Sequence, residues 1–599
     1  MKRLIALLLV ILWSGSLAFG QAAGEKEDVV MKAMRDELSR SISKLHLADL
    51  DKPYFISYRI DDTVSTKISA ALGQLTDEDT RRGRKLNVEV RVGDYALDNT
   101  DFMNIGSGNF GGGNCGCHTT LPLDDDYDQI RREIWLETDA AYKQSAADLA
   151  AKRTVLSHRQ NAQQLSDFTP QKAATVLEKP ADSRLEIPAL KELARDLSGT
   201  FHDSPEITTS GVDIYAVNEF VRLVNTEGAA ISRAEPITVL DVRAYTQAAD
   251  GQPLADSFRV YLRNTSELRH DELLARTHEL ITRLKALRTA KTLEAYNGPV
   301  LFEGEAAADV IGQVFAPAIV ASRFPVSDQP QFEAQFQQVI GQFGGSLADR
   351  VGARVMPDGV DLTDDPTTSR FSGAELLGSY PVDDEAVPSQ KVKIVENGRL
   401  VGLLATRTPT AQTKTSTGSA RGNGAAPGNL FLTARDTATN EHLRKELLRV
   451  AQQRGYDYGI VVRHVAAGGL SALMRMAYSA GRAEITGGSA VYKVFADGHE
   501  EMVRGDIAPV ALTAFKEILA IGDTPGVYHD AFMPFAATLL ARGQAGQLIV
   551  VSYVVPSLLF EEVSLKQPML VAPKPPLLPS PLLATTNASG EWKQATLQH

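Results

Sequence analysis

Apolar residues recur at helical spacing in Val30, Met34, Leu38, Ile42 and Leu45, which predicts an amphipathic helix. Strand-like runs follow at Tyr54 to Ile60, Val64 to Ala71 and Leu86 to Val92, the last with alternating Val88, Val90 and Val92. Residues 99 to 126 read as a loop, first Gly-rich and then acidic. A second helical pattern runs from Asp128 to about Arg159, with Ile130, Ile134, Ala141 and Ala147 among charges. A polar, Pro-punctuated stretch extends to about 190, strands resume between 205 and 263, and a helix covers about 267 to 289.

The segment 290–298 reads as a link to a second half. That half opens with a short strand, Pro299 to Phe302, and a helical segment from Glu305. Strand patterns then dominate: Lys391 to Val395, Leu400 to Thr406, Tyr458 to Val462, Val491 to Phe495 and Leu548 to Tyr553. From Lys566 the chain is rich in proline, including Pro573, Pro575, Pro576, Pro579 and Pro581, which favours an extended, poorly packed tail. The expected class is α+β with two large domains. A mixed N-terminal domain (21–290) carries the Gly-rich loop 104–118, a β-rich C-terminal domain spans 291–565, and a disordered tail spans 566–599.

Composition supports sizeable cores, at 43% hydrophobic and 23% charged residues in a chain of 599. A formal net charge of -12 argues against a nucleic-acid partner, whose phosphates require a Lys/Arg excess. Lys2 and Arg3 precede the apolar run Leu4 to Trp13, and small residues follow before Gln21. This is the pattern of a signal peptide over residues 1–20, too short for the roughly 20 apolar residues that span a bilayer. It predicts a periplasmic or secreted protein with no stable membrane anchor.

The two cysteines, Cys115 and Cys117, stand beside His118, so three soft ligands fall within four residues. The reading stays open between a plain Gly-rich loop and a metal clip or redox pair, since a closed zinc site takes four ligands. Gly106 to Gly111 matches G-x-G-x-x-G, but the required strand and helix do not flank it. His270 and His278 share a helix but lie about 12 Å apart by helical rise, too far to share one ion. Ser41 to Lys44 fits S-x-x-K without its companion motifs and reads as surface helix.

A different constellation runs along the whole chain. Asp126-Tyr127-Asp128 is followed by Trp135-Leu136 and Thr138-Asp139, and later by Asn225-Thr226-Glu227-Gly228. The second half holds Gly298-Pro299-Val300-Leu301-Phe302 before Glu305-Ala306-Ala307-Ala308, then Asp364-Asp365-Pro366, Asp384-Glu385-Ala386-Val387-Pro388 and Glu396-Asn397-Gly398. Thr417 to Arg421, Pro427-Gly428-Asn429 and Pro556-Ser557-Leu558-Leu559 complete it. Together these segments resemble the TldD/PmbA family of zinc-peptidase-related proteins over roughly residues 30–565. Glycine is usual in that family where Ala386 stands.

The resemblance places the family's His-Glu-x-x-x-His zinc motif on Gly312-Gln313-Val314-Phe315-Ala316-Pro317. Both ligand positions, Gly312 and Pro317, have lost their histidines. Gln313, at the position of the general base, has a neutral amide that cannot take a proton. The family's C-terminal cysteine ligand is missing too. The resemblance therefore implies an exported, non-catalytic TldE-like protein with no cofactor. It would bind unfolded peptides, or pair with a TldD-like catalytic subunit or with itself, and its degenerate motif would line the cleft. The alternative is an active metal-dependent peptidase with a relocated zinc site, for which Cys115, Cys117 and His118 are the candidates.

Overall fold

The computed structural model describes residues 28–48, 50–105, 119–159, 165–180, 185–335, 346–422, 424–465, 488–508, 510–532 and 548–567, with isolated short pieces beyond. The expected signal peptide, the glycine-rich match at 106–111, Cys115, Cys117, His118 and most of the proline-rich tail lie outside the described residues.

The first half is built on an antiparallel sheet of long strands: β1 (Pro53–Ala71), β2 (Gln74–Val92), β3 (Thr209–Asn225), β4 (Ala230–Gln247) and β5 (Pro253–Leu262), in the order β2-β1-β3-β4-β5. Successive side chains of a strand point to opposite faces. Ile56, Tyr58, Ile60 and Val88 therefore meet α1 (Val29–Lys44) and α2 (Tyr127–Ser157). On the same face, Ile68, Val212, Leu240 and Phe258 meet α3 (Ile187–Gly199) and α4 (His270–Thr289). The opposite face, with Leu223, Ile231 and Tyr261, packs on Val382, Ala386, Leu377 and Val550 of the second half.

The second half is built on two further large sheets, beside short two-stranded ones. Its longer strands are β6 (Tyr296–Phe302), β7 (Val360–Asp364), β8 (Val392–Glu396), β9 (Asn429–Ala434), β10 (Tyr458–Val465), β11 (Gly488–Phe495), β12 (Glu500–Arg504), β13 (Gly526–Phe532), β14 (Ile549–Val555) and β15 (Leu558–Lys566). One sheet runs β15-β6-β10-β11-β12, and the other runs β8-β7-β9-β14-β13. Between them lies α5 (Glu305–Val310), whose Ala306, Ala307, Ala308 and Val310 share one core with Val300 and Val462 on one side and Leu362, Leu432 and Val551 on the other. α6 (Asn440–Gln453) covers the outer face of the first of these sheets through Leu443 and Leu447. The architecture is α+β. No helix among the described residues is long and apolar enough to cross a membrane.

Several elements differ from expectation. The runs 54–60 and 64–71 form one strand, because Asp61 and Asp62 are held by arginines within the sheet instead of making a turn. The strand expected from Leu400 to Thr406 is limited to Arg399–Leu400. Val401 and Gly402 both donate to the Ile394 carbonyl, and Leu404 then turns to pair with Ile319 and Ala321. Helices α3 and α6 were not foreseen.

Candidate functional site

The degenerate motif sits where an α-helix widens. β6 leaves the sheet through Gly304, at φ 59°, and the chain enters α5. Residues Ile311–Phe315 then form a π-turn in which the Ala316 N–H reaches back to the Ile311 carbonyl. Proline has no N–H and collides with the carbonyl four residues earlier in a regular α-helix, so Pro317 is accommodated by this wider geometry.

Tyr553 of β14 packs against the open side of Gly312. A Cβ added there would lie 3.0 Å from both Cζ and Oη of Tyr553. Gln313 and Pro317 are half-buried on the same turn. A zinc ion needs imidazole, thiolate or carboxylate donors; Gly312 and Pro317 supply none, and Gln313 supplies a neutral amide. Among the described residues no group of three or more His, Cys, Asp or Glu is arranged to hold a metal. These residues do not fit the family's zinc site.

A small polar cavity lies one turn upstream. It is lined by Phe258, Arg259 and Tyr261 of β5, Glu305, Ala308 and Asp309 of α5, His464 and Val465 of β10, Tyr528, His529 and Asp530 of β13, and Tyr553. The strands and helix converge here because α5 is wedged between the two C-terminal sheets and β5 closes over its first turn. His464 is the clasp. Its Nε2 donates to the Ser257 carbonyl at 2.8 Å and lies 3.3 Å from Asp256, and its Nδ1 lies 3.4 Å from Glu305. Burial opposes a charge on this ring, but the hydrogen bonds to Asp256 and Glu305 outweigh it and raise its pKa to about 10. Asp256 also accepts from Arg283 at 2.8 Å.

The other acids of the cavity are less well matched. Asp309 is pushed well above the usual carboxylate range by burial, and then by the charges of Glu305 and Asp530. Its Oδ2 is buried without a hydrogen-bond partner among the described residues. Asp530 is raised mainly by burial, although Tyr261 Oη (3.2 Å) and the Ala531 N–H donate to it. His529 is pushed down to about 4 by burial and then by the charge of Arg263, so it is neutral, and its Nδ1 lies 3.1 Å from Ser552 Oγ. Sequence reading did not single out His464, Asp256 or Asp530, which come from three separate strands. Asp309 alone left a signal, as a charge inside the apolar run from Ala306 to Ile311.

Two of the segments that carried the resemblance, 225–228 and 384–388, meet at the junction of the halves, where they act as structure. Asp384 is gripped by Arg59 (2.8 Å) and Arg233 (2.5 Å) of the first sheet. Asp383 accepts from the backbone of Glu385, Val387 and Ala420, folding 383–388 into a loop with Ala386 at φ 63°. Glu385 accepts from the Arg407 N–H. The guanidinium of Arg407, 1% exposed, donates twice to the Thr169 carbonyl and once to Glu227, and stacks 3.9 Å above Phe168. His270 and His278 lie on the exposed side of α4, with His270 on Asp196 at 3.0 Å.

Comparison with known proteins follows the same line. The sequence model of the PmbA/TldA metallopeptidase C-terminal domain matches residues 295–567. A solved structure described as a candidate modulator of a DNA gyrase from Thermotoga maritima is similar over 89% of this chain and 99% of its own, with TM-score 0.53 and 16% identity. TldE from Thermococcus kodakarensis is similar over 89% and 100%, with TM-score 0.54 and 13% identity. A candidate modulator of DNA gyrase from Bacteroides thetaiotaomicron is similar over 90% and 98%, with TM-score 0.55 and 10% identity. At these identities the likeness is one of fold. No curated protein matches the chain.

Proposed function

The chain belongs to the TldD/PmbA family through its C-terminal domain, and on that premise we propose that it is a non-catalytic, TldE-like subunit, exported from the cell, that binds extended peptide and pairs with a TldD-like catalytic chain or with itself. The observation that carries this reading is the packing of Tyr553 onto Gly312, at a motif that offers no metal donor. A histidine at 312 would require that ring to leave. A family fold kept around an emptied motif is what a binding partner requires, since it must keep the fold and its surfaces but not the chemistry. Export is supported by the basic, apolar and small-residue pattern of residues 2–20.

The test is the zinc content of the purified mature chain after dialysis, combined with affinity capture from the envelope fraction. The expected result is zinc near zero, a mature N-terminus at Gln21, and a captured TldD-like chain or a second copy. About one zinc per chain, lost when Cys115 and Cys117 are changed to serine, together with chelator-sensitive peptide hydrolysis, would overturn it in favour of the relocated-site peptidase.

A further inference from the structure

The cavity beneath α5 is unbalanced in charge. Its lining carries three carboxyl groups, Glu305, Asp309 and Asp530, against two cations, Arg259 and His464. Glu305 is matched by His464. Arg259 reaches Asp241 through its Nε and serves the same acidic surroundings as Asp530. Behind His464, Asp256 and Arg283 neutralise each other. Among the described residues Asp309 forms no ion pair, His464 being the one cation whose charge acts on it, and its Oδ2 is buried without a donor. An unmatched buried acceptor costs roughly 1–3 kcal/mol, more for a charged one, so a ligand that supplies a donor and a charge there gains in proportion.

Size and shape narrow the ligand. The free space is about 20 Å3, room for one water-sized group. The remaining walls are the rings of Tyr261, Tyr528 and Tyr553 and the neutral His529, surfaces that suit a small cation. Glu305, 36% exposed, and the half-buried Tyr528 mark its mouth. We propose that this cavity binds a single primary ammonium group, held by Asp309 and Asp530, entering past Glu305. Its natural source, resting on the peptide-binding reading above, is the α-amino terminus or a lysine head of a bound peptide. An ammonium offers three donors and no acceptor, which suits the carboxylate oxygens of Asp309 and Asp530, and its charge favours their ionised form on binding.

The experiment is calorimetric titration of the mature protein at pH 8 with methylammonium chloride, potassium chloride, trialanine amide, N-acetyl-trialanine amide and Nα-acetyl-lysine methylamide. Asp309→Asn, which is isosteric, and Asp530→Asn are titrated alongside after circular dichroism confirms that each is folded. Saturable methylammonium binding, not matched by potassium and weakened about ten- to hundredfold in either variant, is expected. Preference for the free trialanine amide over its acetylated form assigns the amino terminus, and preference for the lysine derivative assigns the side chain; either supports the site. Absence of methylammonium binding, equal binding of potassium, or binding unchanged in both variants would overturn it. Peptides that bind equally well acetylated and in both variants would sink this inference but leave the peptide-binding reading intact. Methylammonium binding with no peptide binding would do the reverse.

Discussion

Replacing His464 by glutamine should remove a pH-dependent part of the stability as well as a contact. The ring is 9% exposed and lies between Asp256 and Glu305, so its proton is held to about pH 10. An unfolded histidine titrates near 6.5. Because the folded pKa is raised, the stabilisation is fully present below about pH 6.5 and is lost as the pH rises through about 10. Linkage puts this term at about 4 kcal/mol at pH 7 and about 1 kcal/mol at pH 9. The size at pH 7 matches the roughly 3–5 kcal/mol lost when one partner of a buried ion pair is removed. Asp256 and Glu305 are held low and do not titrate in this window. Urea unfolding of the parent and His464→Gln, followed by far-ultraviolet circular dichroism at pH 7, 8 and 9, tests this. The gap between the two should narrow by roughly 2–3 kcal/mol over that range. Lysines and tyrosines common to both proteins cancel in the difference. A gap independent of pH would refute the claim that His464 is a buried imidazolium.

Three further substitutions probe the motif and the junction. Gly312→Ala should cost about 1–3 kcal/mol, because the new methyl meets the Tyr553 ring at 3.0 Å; an unchanged urea midpoint would mean that the ring is free to move. Ala386→Gly should stabilise by up to about 1 kcal/mol, since φ 63° penalises any Cβ; a lower melting temperature would contradict the strain. Arg407→Met should cost about 3–5 kcal/mol by leaving Glu227 without its cation, and should speed limited proteolysis between the halves; equal cleavage rates would show that the halves are held by other contacts.

Local periodicity disclosed the elements whose apolar stripe is dense. α1, α2, α4 and the alternating β2 were legible for this reason. α3 was hidden because Pro188 in its first turn was read as loop punctuation, although proline is well suited to the start of a helix. Its Leu190, Leu193, Ala194 and Leu197 carry the helical spacing plainly enough. α6 was missed although Thr439 caps it and Leu443, Leu447, Val450 and Ala451 form its buried stripe. Its charged face dominated the pattern. The register of the resemblance located the altered segment at 312–317, where a glycine and a proline five positions apart inside a helical stretch are visible as letters. The cavity was not legible: Asp256, Asp309, His464 and Asp530 are remote in sequence, and only the pairing of three sheets brings them together.

The place of β15 in its sheet bears on how the chain is made. β6, which opens the second half, is flanked by β10 on one side and by β15 on the other. The Ser564 hydroxyl donates to the side chain of Asn297, 267 residues earlier. The sheet that buries the motif helix thus cannot close until its final strand has been synthesised. Contacts of such long range form slowly, because a large loop must be ordered before they repay its entropy. The second half is therefore expected to stay open until that strand is available, while the hairpins of the first sheet, whose partners are near in sequence, are free to assemble. A chain truncated before Leu558 is expected to lose the second half as a unit and keep the first.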